Sequence, residues 1–403
     1  MTSARKPVVV AGAGPTGLMC ALALGRQGIP VIVCEAEPAL THDLRAGAFH
    51  PPTLEMMEPY GITGRMLETG IPVRHWQIRD RSGQYIAEFD LGLLADVTKY
   101  PYRLHLEQHK LTPIQLDIIR EETAADVRFG HRVTDASQHA DGVTVTIEAN
   151  GNQRKIEASW LIGADGGRSV VRKLSGVEFE GFTWPENFLV VSTPHDLGEY
   201  GYPYMAYVSD PLEWIALFRM PHEGPPGIWR LAFPVTENET GDEALADESV
   251  ERRMQGFQPR AERWDVRYKS IYRVHQRVAG SFRAGRMLLA GDAAHLNNPL
   301  GGFGLNSGIH DAINLCDKLG SVWRGEANAD LLDLYSRQRR AVTVEQVQEM
   351  SIRNKRTLEE SDPALQQERL AELIATARNP ALARKHVFAS SMLLGLQRAA
   401  QIR

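Results

Sequence analysis

The chain has 403 residues, 43% hydrophobic and 24% charged, with a formal net charge of −5 at pH 7. That length admits two or three domains, or one large α/β domain with an inserted sheet, and the composition excludes a mainly disordered chain. The mild net charge argues against nucleic acid as a partner. The sequence has no window of ~18 uninterrupted apolar residues, so it predicts no membrane-spanning helix. Three cysteines without metal-type spacing predict reduced thiols, no metal site and a cytoplasmic protein.

The first predicted unit is a βαβ element over residues 8–35, VVVAGAGPTGLMCALALGRQGIPVIVCE. A strand runs into Gly12, Gly14 and Gly17 at G-x-G-x-x-G spacing, an apolar helix follows, and a second strand ends on Glu35. In such a unit the glycines permit a tight turn, approach of a pyrophosphate and close helix packing, while the acid accepts from a ribose hydroxyl. The unit predicts a dinucleotide site and leaves NAD, NADP and FAD open. We expect this N-terminus to be mature structure, because it has no signal-peptide cleavage site.

The next segment leaves the strand pattern for a loop and a short helix. Arg45 stands in this loop, where a cation can reach a pyrophosphate or a nicotinamide nucleotide; the alternative is a solvated arginine. Residues 71–90 then alternate apolar and polar around Ser82-Gly83. This alternation predicts a hairpin that starts a second sheet.

The chain is then expected to return to the first sheet. Residues 102–121 predict a helix, and residues 126–135 and 142–162 predict short strands. In LIGADGGRSVVR, residues 161–172, a strand ends on Asp165 before two glycines and a basic helix start. That arrangement lets a carboxylate approach a ligand closely, whereas the plain alternative is a helix N-cap with a glycine turn.

Residues 181–267 are rich in aromatic residues and prolines and predict further strands of the second sheet. Arg219 and Arg230 are candidates to bind a substrate carboxylate, or else are outward or salt-bridged residues. The aromatic residues could line one sheet face over a flat apolar ligand, but plain sheet packing is the favoured interpretation for most of them, because aromatic residues favour strands in any case. They are Tyr202, Tyr204, Tyr207, Trp214, Phe218, Trp229 and Phe233.

A third informative stretch covers residues 286–315. An apolar strand ends on Asp292, and the turn around Gly301, Gly302 and Gly304 opens a helix. Parallel strands present ligand-binding groups at their carboxyl ends, and a helix N-terminus stabilises negative charge. The rest of the chain predicts a cap of helices.

Together, the three stretches resemble the single-component FAD-dependent aromatic hydroxylases, the para-hydroxybenzoate hydroxylase-like family of group A flavoprotein monooxygenases. The resemblance rests on GAGPTG at 12–17 with Glu35, GADGGRS at 163–169 and LLAGDAAHLNNPLGGFGLNSGIHDAINL at 288–315. It implies an α/β fold in which a Rossmann-like FAD-binding domain carries an inserted, mainly antiparallel β-sheet substrate domain and C-terminal helices. The expected boundaries are 1–75, 101–180 and 268–330 for the FAD-binding domain, 76–100 and 181–267 for the substrate domain, and 331–403 for the helices.

Carried over residue by residue, the resemblance implies a set of cofactor contacts. For FAD they are Gly12, Gly14, Pro15, Thr16, Gly17, Glu35, Arg45, Gln108, Asp165 and Asp292, with Gly302, Leu305 and Asn306 at the isoalloxazine. The substrate-side candidates are Pro299, Tyr204, Tyr207, Arg219 and Arg230. Two departures from the family pattern are Asn298-Pro299 in place of two prolines and Gln338 in place of a glutamate. The asparagine in place of the first proline alters the wall of the expected active site, so a benzoate-like substrate is not assumed.

The implied reaction is reduction of FAD by NADH or NADPH, reaction with O2 to a flavin C4a-hydroperoxide, and oxygen transfer to a small aromatic substrate. That substrate would be phenolic, aminoaromatic or N-heteroaromatic. The protein has to exclude water, position the ring carbon and help remove a phenol proton. The sequence identifies no base; His50, His105, His222 and the local tyrosines are candidates.

Two alternatives stay open. One is another oxidoreductase on the same scaffold, such as a reductase or a halogenase, although the halogenase signature W-x-W-x-I-P is missing. The other is a non-catalytic flavin sensor, which predicts slow NAD(P)H turnover with every small aromatic. The substrate, the choice of nicotinamide nucleotide and the oligomeric state are left open, with a homodimer among the states considered.

Overall fold

The computed structural model describes residues 5–42 and 47–403. In chain order its strands are Val8–Ala11 (β1), Val31–Cys34 (β2), Ala48–Phe49 (β3), Ile71–Val73 (β4), His75–Asp80 (β5), Tyr85–Asp90 (β6), Arg103–His105 (β7), Asp126–Arg128 (β8), Arg132–His139 (β9), Gly142–Ala149 (β10), Asn152–Ala158 (β11), Trp160–Gly163 (β12), Phe179–Thr193 (β13), Met205–Ser209 (β14), Ile215–Met220 (β15), Ile228–Val235 (β16), Tyr268–Ala279 (β17), Arg283–Ala284 (β18), Met287–Leu289 (β19) and His295–Leu296 (β20).

The α-helices are Pro15–Gly25 (α1), Pro51–Met57 (α2), Ile62–Leu67 (α3), Gln108–Glu122 (α4), Val170–Leu174 (α5), Gly241–Leu245 (α6), Asp247–Phe257 (α7), Phe303–Arg324 (α8), Leu331–Val342 (α9), Glu349–Leu358 (α10), Pro363–Arg378 (α11), Pro380–Ser390 (α12) and Leu393–Gln401 (α13). A π-helical turn, Thr343–Gln348, joins α9 to α10. Within the described residues, no helix is both long enough and apolar enough to cross a membrane.

A six-stranded sheet in the order β18-β19-β12-β1-β2-β8 gathers the three motif stretches. Its strands β19, β12, β1, β2 and β8 run parallel. The strands β1, β2, β12 and β19 are short and fully or largely buried, as apolar strands covered on both faces should be, whereas β8 is more exposed at the edge of the sheet. Because the carboxyl ends of parallel strands meet at one edge of a sheet, the residues that follow β1, β2, β12 and β19 lie together. Gly12, Glu35, Asp165 and Asp292 are those residues.

The second large sheet has eight strands in the order β20-β17-β13-β16-β15-β14-β5-β6 and is antiparallel except for the pair β14 and β5. The expected hairpin over residues 71–90 is confirmed as β5 and β6. The further strands expected over residues 181–267 are confirmed, among them β14, β15 and β16. This sheet stands beside the six-stranded sheet and supplies one wall of the site.

One interpretation considered for these elements is wrong. The aromatic residues do not share one face: Tyr207, Trp214 and Phe218 pack on one side of the large sheet, and Tyr202, Trp229 and Phe233 pack on the other. Alternation along each strand divides them, because successive side chains point to opposite faces. The expected return to the first sheet after α4 is confirmed by β8 and β12, which pair with β2 and β1, while β9, β10 and β11 between them form a three-stranded sheet of their own.

The helices after residue 348 cover the face of the large sheet that carries Trp76 and Tyr207. Leu358 of α10, Leu373 of α11 and Val387 of α12 belong to, or pack against, the apolar cluster on that face. The space between these helices and the sheet is not completely filled, and it holds the cavity described below.

Candidate active site

The turn between β1 and α1 fits a pyrophosphate. Gly12 has φ +100°, and a Cβ on it would lie 2.4 Å from the carbonyl oxygen of Ala164. A Cβ on Gly17 would lie 2.0 Å from the carbonyl oxygen of Gly12, so only glycine lets helix and strand pack this closely. A Cβ on Gly14, by contrast, would meet nothing within 4 Å. Helix α1 begins at Pro15 without a side-chain cap, so its first N–H groups face this open space.

Two acids at the same sheet edge are held by different partners. The Glu35 carboxylate accepts from the N–H groups of Ala13, at 2.7 Å, and Glu37, at 2.9 Å. The Asp165 carboxylate accepts from the Ser169 hydroxyl at 2.5 Å and from the Val170 N–H at 2.7 Å. Asp165 therefore caps the start of α5, which is the plain alternative, and its contact with FAD stays a prediction. Glu35 lies across the glycine turn, where a ribose hydroxyl is expected.

The loop before α8 is shaped by two glycines in the left-handed region, Gly301 at φ +116° and Gly302 at φ +71°. The Asn306 side chain holds it: its Oδ1 accepts from the His50 N–H at 2.8 Å, and its Nδ2 donates to Ala48 and Gly302 carbonyls at 2.8 and 2.6 Å. Helix α8 starts without a side-chain cap. The free N–H groups of the first turn of α8 could therefore donate to a flat ring that carries partial negative charge.

The remaining predicted cofactor contacts lie around these two turns. Asp292 is exposed after β19, Leu305 is half-buried on the first turn of α8, and Gln108 is half-buried at the start of α4. Thr16 packs its hydroxyl against Gly291 and Gly308, where added Cβ atoms would lie 2.6 and 2.4 Å from it. Arg45 lies outside the described residues. All of these contacts stay predictions.

A buried ionic cluster supports the loop that carries Asp292. The Asp311 carboxylate of α8 accepts from Arg339 Nε at 2.6 Å and from the Gly291 N–H at 3.0 Å, and it lies 2.8 Å from His295 Nε2. All three side chains are at most 1% exposed. Burial opposes ionisation of Asp311, but Arg339 and His295 outweigh it and lower its pKa to about 2. The sequence reasoning did not find this cluster, although an aspartate in the apolar helix segment GIHDAINL was a signal.

The large cavity has a volume of about 570 Å³ and lies between the large sheet and helices α10 to α12. Its lining includes Trp76, Arg103 and Tyr207 from the sheet side, Gly301 from the glycine loop, and His386 from α12. The cavity therefore reaches the loop that would contact the isoalloxazine. Its volume is in the range of pockets that enclose a small ligand.

Buried histidines surround this region. Burial lowers the pKa of His105 to about 4, with the charges of Arg103 and Arg230 adding to the effect. Burial likewise lowers the pKa of His386 to about 4 and holds that of His50 well below its ordinary value. These side chains are neutral near pH 7, and only His386 of the three lines the cavity. His222 makes its ring contact with Tyr268, at 5.9 Å between centroids.

The substrate-side candidates separate into two groups. Tyr207 lines the cavity, and Pro299 lies two residues before Gly301, its carbonyl accepting from the Gly302 N–H at 2.9 Å. Arg230 shares the cavity-side face of β16 with Ala232 and is 7% exposed. Arg219 points to the opposite face, where its guanidinium contacts the Pro226 carbonyl and lies 3.1 Å from Asp196. Tyr204 is 48% exposed and contacts Trp229 on that same opposite face. These placements argue against substrate binding by Arg219 and Tyr204.

Comparison with known proteins identifies the family. A family model described as an FAD binding domain matches residues 5–350. A para-nitrophenol 4-monooxygenase from Pseudomonas sp. strain WBC-3 is 35% identical over 364 residues, which cover 89% of this chain and 88% of that protein. The chain belongs to the FAD-dependent aromatic hydroxylases. It is a flavin-dependent aromatic monooxygenase of the para-hydroxybenzoate hydroxylase-like family.

Other relatives of this hydroxylase agree in fold and class. A 6-hydroxy-3-succinoylpyridine 3-monooxygenase from Pseudomonas putida is 31% identical over 366 residues, covering 90% of this chain and 91% of that protein. The crystal structure of a p-nitrophenol 4-monooxygenase from Pseudomonas putida DLL-E4 superposes with a TM-score of 0.91 at 31% identity, covering 99% of both chains. A Mycolicibacterium smegmatis hydroxylase of 3-(3-hydroxyphenyl)propionate and 3-hydroxycinnamic acid is 34% identical, but the match covers only 58% of that longer protein.

The open space at Gly14 allows a direct test of the pyrophosphate position in the hydroxylase. Gly14→Ala should leave the free energy of unfolding of the apoprotein within about 1 kcal/mol, because Gly14 has extended backbone angles and its Cβ would meet nothing. The methyl group would occupy the approach of the pyrophosphate, so FAD affinity should fall by about tenfold or more, or at least ~1.4 kcal/mol. Urea unfolding of the apoprotein and its titration with FAD measure the two effects.

Gly64→Ala is the matched control for this change. Gly64 is an exposed position in α3 where a Cβ would also meet nothing within 4 Å. Alanine there should stabilise the helix by about 0.5–1 kcal/mol and leave FAD affinity unchanged. Unaltered FAD affinity in Gly14→Ala would show that the pyrophosphate does not approach the backbone at this turn.

Proposed function

We propose that the hydroxylase uses NADH or NADPH and O2 to hydroxylate a small phenol, aminoaromatic or N-heteroaromatic bound in the cavity between the large sheet and helices α10 to α12. The observation that carries this proposal is the extent of the cavity. It runs from residues of α10 and α11 to Gly301, next to the uncapped start of α8. A ring held at that end would lie beside the predicted isoalloxazine site. The named activities of the relatives, on nitrophenol and a hydroxypyridine, support a substrate of this size.

Bound FAD would supply the redox chemistry, accepting electrons from the nicotinamide and delivering oxygen to the ring. The protein itself positions the substrate ring and excludes water from the site. Trp76 stacks on Phe89 at 4.6 Å between centroids and offers a rigid apolar wall. Burial raises the pKa of Tyr207, so its hydroxyl stays protonated and serves as a donor to a substrate oxygen.

The histidines are poorly suited to act as general bases at neutral pH. His386, which lines the cavity, has a pKa lowered by burial to about 4, and His105 has the same low value. Such an imidazole has little affinity for a proton at pH 7. Removal of a phenol proton therefore depends on stabilisation of the phenolate more than on a strong histidine base.

Stopped-flow reduction of the FAD-loaded protein by NADH and by NADPH tests the proposal. A panel of phenols, aminobenzenes and hydroxypyridines should contain a compound that accelerates flavin reduction by about tenfold or more and gains one oxygen atom from ¹⁸O2. Accelerated reduction without an oxygenated product would favour a reductase. Slow reduction with every compound would favour the flavin sensor.

We also propose that the protein works in the cytoplasm with reduced thiols. Cys20, Cys34 and Cys316 are free and buried, and burial raises the pKa of Cys34 to about 11. Buried protonated thiols of this kind pack as small apolar groups. A homodimer stays a prediction, which sedimentation velocity of the FAD-loaded protein would test.

A further inference from the structure

Arg103 is a buried charge that faces the cavity. It lies on β7 with 3% of its surface exposed and is part of the cavity lining. Its Nη1 contacts the thioether of Met205 at 3.1 Å, and its Nη2 donates to the Ser390 carbonyl at 3.2 Å. Its Nε has no hydrogen-bond partner among the described residues. A guanidinium has five N–H donors, so most of its capacity is unused.

No described carboxylate lies within 4.0 Å of Arg103, in contrast to the buried arginines Arg219, Arg253 and Arg339. Arg339, at 1% exposure, is paired with Asp311 at 2.6 Å. Burial lowers the pKa of Arg103, and the neighbouring hydroxyl of Tyr207, at the same end of the cavity, opposes this shift. A buried charge without a counterion is costly, and proteins keep one where a ligand supplies the opposite charge.

The other charged residues of the cavity do not fill this role. Glu349, Glu372, Arg353 and Arg356 line the outer part and are exposed. Arg369, the other cavity arginine, is half-buried and is paired with Glu360 at 2.9 Å. Arg103 instead lies at the inner end with Tyr207 and Gly301. A ligand that reaches Gly301 thus meets a cationic donor and a hydroxyl donor together, and both favour a negatively charged oxygen.

We propose that Arg103 binds the negatively charged oxygen of the substrate, so that the hydroxylase selects ligands that enter its cavity as anions. The inference rests on the proposed function for the location of the substrate. Two sources of the charge share this chemistry, a phenolate oxygen and a ring carboxylate. Arg103 takes the substrate-binding role that the sequence suggested for Arg219.

The test uses the FAD-loaded protein without any nicotinamide nucleotide and compares three probes of similar size. 4-Nitrophenol can bind as its phenolate anion, 4-nitrobenzoate carries a carboxylate, and 4-nitroanisole is neutral. Dissociation constants come from the change in flavin absorbance, and the visible band of 4-nitrophenolate reports its ionisation when bound. At least one anion should bind about tenfold or more tightly than 4-nitroanisole, and the preferred anion identifies the source of the charge.

Arg103→Met should weaken binding of that anion by about 30-fold or more, with binding of 4-nitroanisole nearly unchanged. Arg103→Lys should recover part of the loss, since it keeps the charge but not the planar fork. The matched control is Arg337→Met, which removes an exposed charge of α9 outside the cavity lining and should change anion binding by less than about threefold.

Equal affinities of the wild-type protein for the neutral probe and both anions would overturn the inference without any variant. Equal losses for neutral and anionic probes in Arg103→Met would also overturn it, because they indicate a purely structural role. These results are independent of the proposed function. A protein that binds anions through Arg103 but is never reduced by NADH or NADPH would contradict the proposed function alone.

Discussion

Arg339→Met should lower the free energy of unfolding by about 3–5 kcal/mol. The substitution leaves the Asp311 carboxylate fully buried and without its closest cation, since Arg339 Nε lies 2.6 Å from it and Arg339 Nη2 lies 3.1 Å from the Ser307 hydroxyl. Asp311 also accepts from the Gly291 N–H, next to the predicted FAD contact Asp292. FAD affinity should therefore fall together with stability. Urea unfolding of the apoprotein and titration with FAD measure both.

The next residue provides the control. Arg340 pairs with Glu180 at 3.1 Å, but both side chains are substantially exposed, at 35% and 54%. Exposed pairs contribute about 0–1 kcal/mol, so Arg340→Met should cost no more than that. Similar losses in the two variants would show that the ion pair of Asp311 does not stabilise the fold more than a surface pair does.

The sequence allowed the cofactor edge to be predicted because each part of it is local. Gly12 and Glu35 follow short apolar strands, and parallel strands put such positions at one edge of a sheet. The hairpin around Ser82-Gly83 could be predicted for the same reason, since its two strands are adjacent in the chain. These elements depend on neighbours within a few residues.

The ligand cavity depends on contacts that are distant in the chain. Trp76, Arg103, Tyr207 and His386 come from β5, β7, β14 and α12. Local alternation cannot say which strand face meets the C-terminal helices. The sequence therefore could not show that Arg219 points away from the cavity and that Arg103 lines it. The ion pair of Arg339 with Asp311 joins α9 to α8, so the spacing of residues within either helix could not predict it.

Acid should destabilise the hydroxylase steeply because three fully buried histidines are kept neutral. Burial lowers the pKa of His105 to about 4 and of His310 to about 3, and it holds the pKa of His50 well below its ordinary value. In the unfolded chain each histidine binds a proton below about pH 6.5. The folded protein binds fewer protons over the interval from about pH 6.5 to 4, so the stability present above pH 6.5 is lost as the pH falls.

Each such histidine contributes a slope of about 1.4 kcal/mol per pH unit, so the three together give about 4 kcal/mol per unit near pH 5.5 and almost none above pH 7.5. Urea unfolding of the FAD-loaded protein between pH 5.5 and 8 measures this slope. His310→Gln should remove the share of one histidine, about 1.4 kcal/mol per pH unit, whatever the variant costs at pH 8. Thr53→Val removes the hydrogen-bond partner of His310, 2.9 Å from its Nε2, but keeps the imidazole. That variant should lower the free energy of unfolding by a similar amount at every pH and keep the wild-type slope against pH. The slope depends on the number of protons bound and not on the hydrogen bond.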